Sequence, residues 1–200
     1  MWQDAYKEQV EKVIKFSALT YQRSLITAAG GNVSMRCGDR VIITINDSVL
    51  RELAPDDLAL LDLEGRVLEC RQGRKPSKEW RLHLALYRHR QDIDSVIHAH
   101  SPFATALSVA GRSLPMITAS AELKLVQVPT VEFAEPGSKD LSDKVEETVR
   151  RAPADTHALL LRRHGTLSFE KGMERCFGIA ELVEDTAKIA CFSMILPREM

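Results

Sequence analysis

Cysteine is sparse and unpatterned: Cys37, Cys70, Cys176 and Cys191 lie far apart, with no CxxC pair among them. That spacing argues against both a disulfide framework and a thiolate zinc site, so the four are read as reduced thiols, mostly in the core. Charge of one sign is also lacking. Lys and Arg total 27 against 28 Asp and Glu, a formal net charge of -1, which leaves no broad basic field for a nucleic acid backbone or an anionic membrane. No apolar run is long enough to span a bilayer. Charges interrupt the N-terminal MWQDAYKEQVEKVIKF, which therefore lacks the apolar core of a secretion signal. No repeat, low-complexity tract or Pro/Ser-rich linker divides the chain. The expectation is a cytoplasmic, soluble protein with one domain over residues 1–200, and neither nucleic acid nor membrane as partner.

What is present is an ordinary globular composition, 44% hydrophobic and 28% charged, able to bury a sizeable core. Tyr6, Val10, Val13, Ile14 and Tyr21 recur at helical spacing between Asp4 and Arg23, which predicts an amphipathic helix ending at AAGGNVS. VSMRC and RVIITI flank the Gly38-Asp39 turn as one hairpin, and LALLDL and RVLEC flank Glu64-Gly65 as a second. Ser77 is the predicted N-cap of a helix through KEWRLHLALYRHR. SVIHAH reads as a strand, Ser101-Pro102 opens a helix to Gly111, and a strand is expected in LVQVPTV. A helix follows at PGSKDLSDKVEETVRR, then a short strand at HALLLRR, tipped by His164-Gly165, and a closing helix from Met173 to Ile195. The hairpins imply a largely antiparallel sheet covered by helices.

Three of the six histidines sit at strand ends or just beyond. A strand sends residues i and i+2 to one face, so His98 and His100 share a face, and His164 follows another apolar strand. Two imidazoles from one strand and one from a neighbour give three nitrogen ligands with an open position, the pattern of a catalytic divalent metal. The competing reading is three hydrogen-bonded, half-buried histidines. Glu79 stands in the first turn of its helix, either as a capping carboxylate or as a functional one. His83, one turn later on the same face, either orients that carboxylate or makes a structural contact. Ser77 and Lys78 at the helix start suit an anion, and the small-residue loop around Gly31 lets a ligand approach backbone amides, with Asn32 as a polar handle. That loop is neither a Walker sequence nor GxGxxG, and no covalent nucleophile is signalled.

In order along the chain, GGNVS, TIND with LAPDDL, KPSKEWRLHLALYR, VIHAHSPFATALS, VPTVEF with PGS, and LLLRRHG resemble the class II aldolase and adducin head family, from about Lys12 to Ala190. The resemblance implies an α/β fold, a three-layer α/β/α sandwich with a central, mainly antiparallel sheet, and a cyclic homotetramer. It implies a divalent ion, Zn2+ or else Mn2+, Co2+ or Fe2+, held by His98, His100, His164 and Glu79. Glu79 would also act as acid or base. The implied reaction is aldehyde-lyase cleavage of a small ketose or ketose phosphate through a metal-stabilised enediolate. Sister reactions are pentulose-phosphate 4-epimerisation and sugar-acid phosphate decarboxylation, and a non-catalytic adducin-like oligomerising module is a further alternative. Gly31-Asn32, Asn46-Asp47 and Ser77-Lys78 occupy the loops that hold substrate phosphate in the aldolases.

Those loops are also where the chain departs from the family. Asn46-Asp47 replaces the usual Thr or Ser followed by Gly, and a carboxylate beside a phosphate is repelled unless paired. Lys78 stands in place of a second Ser, either to supply that pairing to a phosphate or to be consumed by Asp47. Thr118-Ala119 stand where some aldolases carry a Tyr, and the longer C-terminal tail of the fuculose-phosphate enzymes is expected to be absent.

Overall fold

Hydrophobic side chains of alternate strand residues go to opposite faces of one sheet, and each face is roofed by helices. The computed structural model describes residues 2–28 and 30–196; Met1, the Ala29 of the AAGGNVS loop and residues 197–200 lie outside that description. Along the chain come α1 (Trp2–Ala5), α2 (Lys7–Gln22), β1 (Asn32–Cys37), β2 (Arg40–Thr44), β3 (Leu58–Asp62), β4 (Val67–Glu69), α3 (Trp80–His89) and β5 (Ser95–Ala99). They are followed by α4 (Pro102–Val109), α5 (Ala119–Lys124), β6 (Thr130–Val131), α6 (Lys139–Arg151), β7 (Ala158–Leu161), β8 (Gly165–Glu170) and α7 (Met173–Ile195).

The strands join in the order β4-β3-β2-β1-β5-β8-β7-β6. Only β6 and β7 run parallel, and every other neighbouring pair is antiparallel. Val41, Ile43, Val96 and Leu167 face α3 and α6 on one side. Val33, Ile42, Ile97 and Ala99 face α2 and the start of α7 on the other, where α4 and α5 extend the cover over β7. This is the three-layer α/β/α sandwich with a mainly antiparallel sheet. Among the described residues no helix is long and apolar enough to cross a membrane.

Local structure departs from the sequence expectation at three places. Ser77 is not the cap of α3; the helix begins two residues later, with Glu79 at the N-cap and no side-chain capping bond. Ser77 instead closes a turn, its backbone N–H donating to the Thr44 carbonyl and its Oγ accepting from Glu79 N–H. The strand expected in LVQVPTV shrinks to Thr130–Val131, because Thr118 caps a short helix over Ala119–Lys124 through its Oγ1, Leu125 is that helix's C-cap, and Val126 turns the chain in a left-handed conformation. Pro129 has no N–H to donate to a ladder, and only its carbonyl, which accepts from Leu160 N–H, takes part in the pairing. Finally, Gly165–Glu170 forms a full strand that the sequence reading passed over. Its Thr166 and Ser168 look like the exposed face of a loop, yet both are buried, since both sides of the sheet are covered.

Candidate metal centre

Each of four side chains is brought to one point by a different local device. His98 lies in the central strand β5, opposite Asn32 of β1 and Leu167 of β8. Ile97 and Ala99 turn to the α2 and α7 side, so His98 turns to the α3 side, where it is fully buried. Its Nδ1–H donates to the Thr166 carbonyl at 2.9 Å, which fixes the tautomer and aims Nε2 into the site. His100 stands one residue beyond β5, on the same side. His164 comes from the tight β7–β8 turn, in which Arg163 adopts a left-handed conformation. That turn is pinned by Arg163 N–H donating to Ser108 Oγ and His164 N–H donating to the Leu161 carbonyl. Glu79 enters from above, on the residue where the loop from β4 becomes α3; its carbonyl accepts the first helical bond, leaving its side chain free to point at the histidines.

One ligand atom from each of Glu79, His98, His100 and His164 lies within 4.8 Å of every other. Glu79 Oε2 is 3.1 Å from His98 Nε2, and Oε1 is 3.3 Å from His164 Nε2. His100 Nε2 is 3.1 Å from His98 Nε2, and the three ring centroids are 4.8 to 5.2 Å apart. The set fits a divalent cation. Nitrogen atoms bearing lone pairs converge with a carboxylate, and Glu79 Oε1, though buried, has no hydrogen bond. A buried acceptor left in that state costs about 1–3 kcal/mol, which a shared cation relieves. Three imidazoles and one carboxylate are donors that zinc, manganese, iron and cobalt all accept.

Protonation follows from burial and from the neighbours. Burial and then the charge of His98 push both His100 and His164 down to about 4. Burial lowers His98 as well, but the adjacent Glu79 carboxylate outweighs it and raises His98 above its ordinary value. Burial raises Glu79, yet His98, His164 and the Asn32 amide together hold it well below the usual carboxylate range. Without a metal the cluster therefore keeps one proton, on His98. At pH 6, cation binding is expected to release about one proton, whereas three ordinary imidazoles would release roughly two. Calorimetry of zinc binding in buffers of different ionisation enthalpy counts these protons, and a value near two would contradict this assignment.

Beside the cluster lies a cavity of about 100 Å³ lined by Gly30, Gly31, Asn46, Asp47, Ser48, Ser77, Lys78, Glu79 and His100. Five of the residues read as substrate-binding, Gly31, Asn46, Asp47, Ser77 and Lys78, thus meet at one place. The sixth, Asn32, is buried and engaged with Glu79 and His83. Asp47 adopts a left-handed backbone and accepts a bond from the Asn46 side-chain amide at 2.7 Å. No ion pair joins it to Lys78 among the described residues, so Lys78 is left exposed at the cavity mouth. Larger surface hollows, including one of about 650 Å³ lined in part by Lys124 and Arg175, hold no member of the cluster.

Sequence reasoning did not find the partners that aim these groups: the Thr166 carbonyl, Ser108 and the Asn32 contact to Glu79. Only Asn32 carried a signal, as an amide beside a glycine pair. The other two act through the pairing of β5 with β8 and through the packing of α4, which local patterns do not record.

With the geometry in place, comparisons with known proteins add the following. The model of the Class II Aldolase and Adducin N-terminal domain matches residues 11–191. Over 188 residues, 94% of this chain and 98% of the relative, the sequence is 32% identical to the L-fuculose phosphate aldolase of Methanocaldococcus jannaschii. It is 30% identical over 185 residues to the 5-deoxy-D-ribulose 1-phosphate aldolase of Bacillus thuringiensis serovar kurstaki, covering 92% of this chain and 84% of that one. Among solved structures, an L-fuculose 1-phosphate aldolase superposes with a TM-score of 0.84 at 30% identity, covering 96% of this chain and 90% of its own. YgbL of Escherichia coli, described as an aldolase/epimerase/decarboxylase without a choice among the three, gives a TM-score of 0.84 at 28% identity and coverages of 95% and 91%.

Proposed function

The chain belongs to the class II aldolase and adducin N-terminal domain family, and on that premise we propose that it is a divalent-metal-dependent aldehyde-lyase acting on a small ketose phosphate. The observation that carries the proposal is the convergence of Glu79, His98, His100 and His164 beside a cavity edged by backbone amides and Lys78.

The three imidazoles would hold the ion, with Glu79 against it in the resting state. Once bound, a divalent cation supplies a Lewis acid that draws electron density from the substrate's carbonyl and adjacent hydroxyl oxygens. For the carbon-carbon bond to break, the hydroxyl on the departing fragment would give its proton to the Glu79 carboxylate as that fragment becomes an aldehyde, while the electron pair of the broken bond stays with the ketone fragment. Glu79 then delivers a proton to the electron-rich carbon, and in the direction of synthesis its carboxylate removes that proton. Gly31, Asn46, Ser77 and Lys78 would receive the phosphate, with Lys78 providing the one cationic side chain among the described residues that line the cavity.

The proposal extends to zinc as the ion, to one functional unit over residues 1–200, and to a homotetramer, the last two by family resemblance. Its test is an aldehyde-release screen of phosphorylated and unphosphorylated ketoses, with zinc, manganese and cobalt and with the bound metal quantified. Epimerisation or carbon dioxide release without aldehyde would replace the aldolase reading by a sister reaction, and a protein unable to bind any of these ions would sink it altogether. Within that assay, Lys78→Ala is expected to raise KM for the phosphorylated substrate roughly tenfold or more, since one charge-assisted contact contributes about 1.5–3 kcal/mol. An unchanged KM would place the phosphate elsewhere.

A further inference from the structure

Behind Glu79 runs a chain of buried polar side chains with one direction of donation. Glu79 Oε2 accepts from Asn32 Nδ2 at 3.1 Å. The other end of that amide, Oδ1, faces His83 Nε2 at 2.5 Å. His83 Nδ1 is 2.7 Å from Ser34 Oγ, and Ser34 Oγ is 2.7 Å from Tyr87 Oη. Asn32 and Ser34 are two apart on β1 and His83 and Tyr87 four apart on α3, so both pairs lie on facing surfaces by their own periodicities. His83, Ser34 and Tyr87 are completely buried, and Asn32 is only 4% exposed.

The direction follows from what each atom is able to do. A carboxylate only accepts, so Asn32 must turn its NH2 toward Glu79 and its carbonyl toward His83. A carbonyl also only accepts, so His83 must carry its proton on Nε2. Burial, then the charge of His98, pushes the His83 ring down to about 3 against a smaller opposing pull from Glu79, so it is neutral. Its Nδ1 is therefore an acceptor and takes the Ser34 hydroxyl proton, while Ser34 Oγ takes the Tyr87 hydroxyl proton. Turning the amide over would set a carbonyl against a carboxylate and would either set an NH2 against the Nε2–H or force the imidazole proton to Nδ1 and reverse the bonds to Ser34 and Tyr87.

We propose that His83 is a positioning residue: its Nε2–H locks the Asn32 amide so that it donates to Glu79 Oε2, holding the carboxylate in the orientation that meets the three histidines. The assignment rests on the reading of Glu79 as the group that moves the proton. The Glu79 carboxylate sets the donor side of the Asn32 amide, and the Nε2–H of the imidazole behind it holds the carbonyl side in place. A buried histidine in this place thus steadies the amide that a catalytic carboxylate sees, without touching substrate or ion.

The test has one arm independent of activity. In protein with 15N-labelled histidine, with and without zinc, long-range proton–nitrogen correlation at pH 7 is expected to show His83 protonated on Nε2 alone; the opposite tautomer, or an imidazolium, overturns the proposal. In the second arm His83→Leu is expected to lower kcat roughly tenfold or more at unchanged KM and metal content, and to alter the visible spectrum of the cobalt-loaded protein. His83→Gln, whose amide donates to Asn32 while its carbonyl accepts from Ser34, is expected to recover kcat to within about threefold and restore the spectrum. If His83→Leu fails to fold, His83→Gln decides with the tautomer: a folded Gln variant with altered spectrum overturns the proposal. A wild-type kcat and spectrum in His83→Leu do the same. A wild-type protein that binds cobalt but releases no aldehyde defeats the proposed reaction instead, and the tautomer and spectra still judge the positioning.

Discussion

Glu79→Gln is expected to keep about one divalent ion per chain and to lose turnover by about 10²- to 10⁴-fold, the usual contribution of a positioned acid or base. The substitution preserves shape in a site where Glu79 is only 3% exposed, so no cavity opens. Three imidazole nitrogens remain for the ion. What is lost is the ability to hold and release a proton at a carbon that has gained an electron pair. The amide brings a second difficulty: Asn32 Nδ2 now meets either a carbonyl, which it satisfies, or an NH2, which it repels. The first orientation keeps the side chain in place, and the loss of rate then reports proton transfer alone. Metal analysis beside single-turnover aldehyde release separates the two effects. Turnover within tenfold of wild type would remove Glu79 from the proton step, whereas loss of the ion with loss of rate would make it principally a ligand.

Much of this centre was legible in the sequence because strand and helix periods are strict. HAH in an apolar strand dictates two imidazoles on one face, and HG after a second strand dictates a third near a chain turn. Short apolar runs flanking the Gly38-Asp39 and Glu64-Gly65 turns signal the hairpins and hence a mostly antiparallel sheet. What escaped was nonlocal. Strand β8 was passed over because burial on both faces hides its polar residues from a pattern built on one wet face, and β8 is the element that pairs with β5 and supplies the Thr166 carbonyl to His98. Ser-Lys-Glu reads as a common helix start with Ser77 as its cap; the contacts of Glu79 with His98 and His164, and the bond from Ser77 N–H to the Thr44 carbonyl, go with a start two residues later. The relation between Asp47 and Lys78 is equally nonlocal. Charge alone leaves open whether Lys78 serves an anion or is consumed by Asp47; the neighbouring Asn46 amide donates to Asp47, and among the described residues no ion pair joins Asp47 to Lys78.

Gly165→Ala is expected to destabilise the protein by at least about 3 kcal/mol and to abolish metal binding, although residue 165 contributes no ligand. A Cβ there would lie 2.2 Å from the Ala99 carbonyl oxygen, 3.1 Å from its carbon and 3.2 Å from His100 Cα. All three are backbone atoms, so no side-chain rotation relieves the overlap; β5 and β8 must part. They would part where Ala99 faces Thr166, between the bond that orients His98 and the turn that presents His164. A shift large enough to admit a methyl group therefore displaces His98 and His100 relative to His164, and a site built on nitrogen atoms a few ångströms apart does not survive it. Gly178 provides the control. It is exposed in α7 with nothing within 4 Å of a built Cβ, so Gly178→Ala should instead stabilise by about 0.5–1 kcal/mol through helix propensity. For a chain of this length the first change corresponds to a fall of roughly 6–12 °C in Tm. Thermal unfolding with metal analysis reads both. A Gly165→Ala protein with wild-type Tm and a full complement of ion would mean that the β5–β8 contact is slack, and that the histidines are held by something other than the register of these two strands.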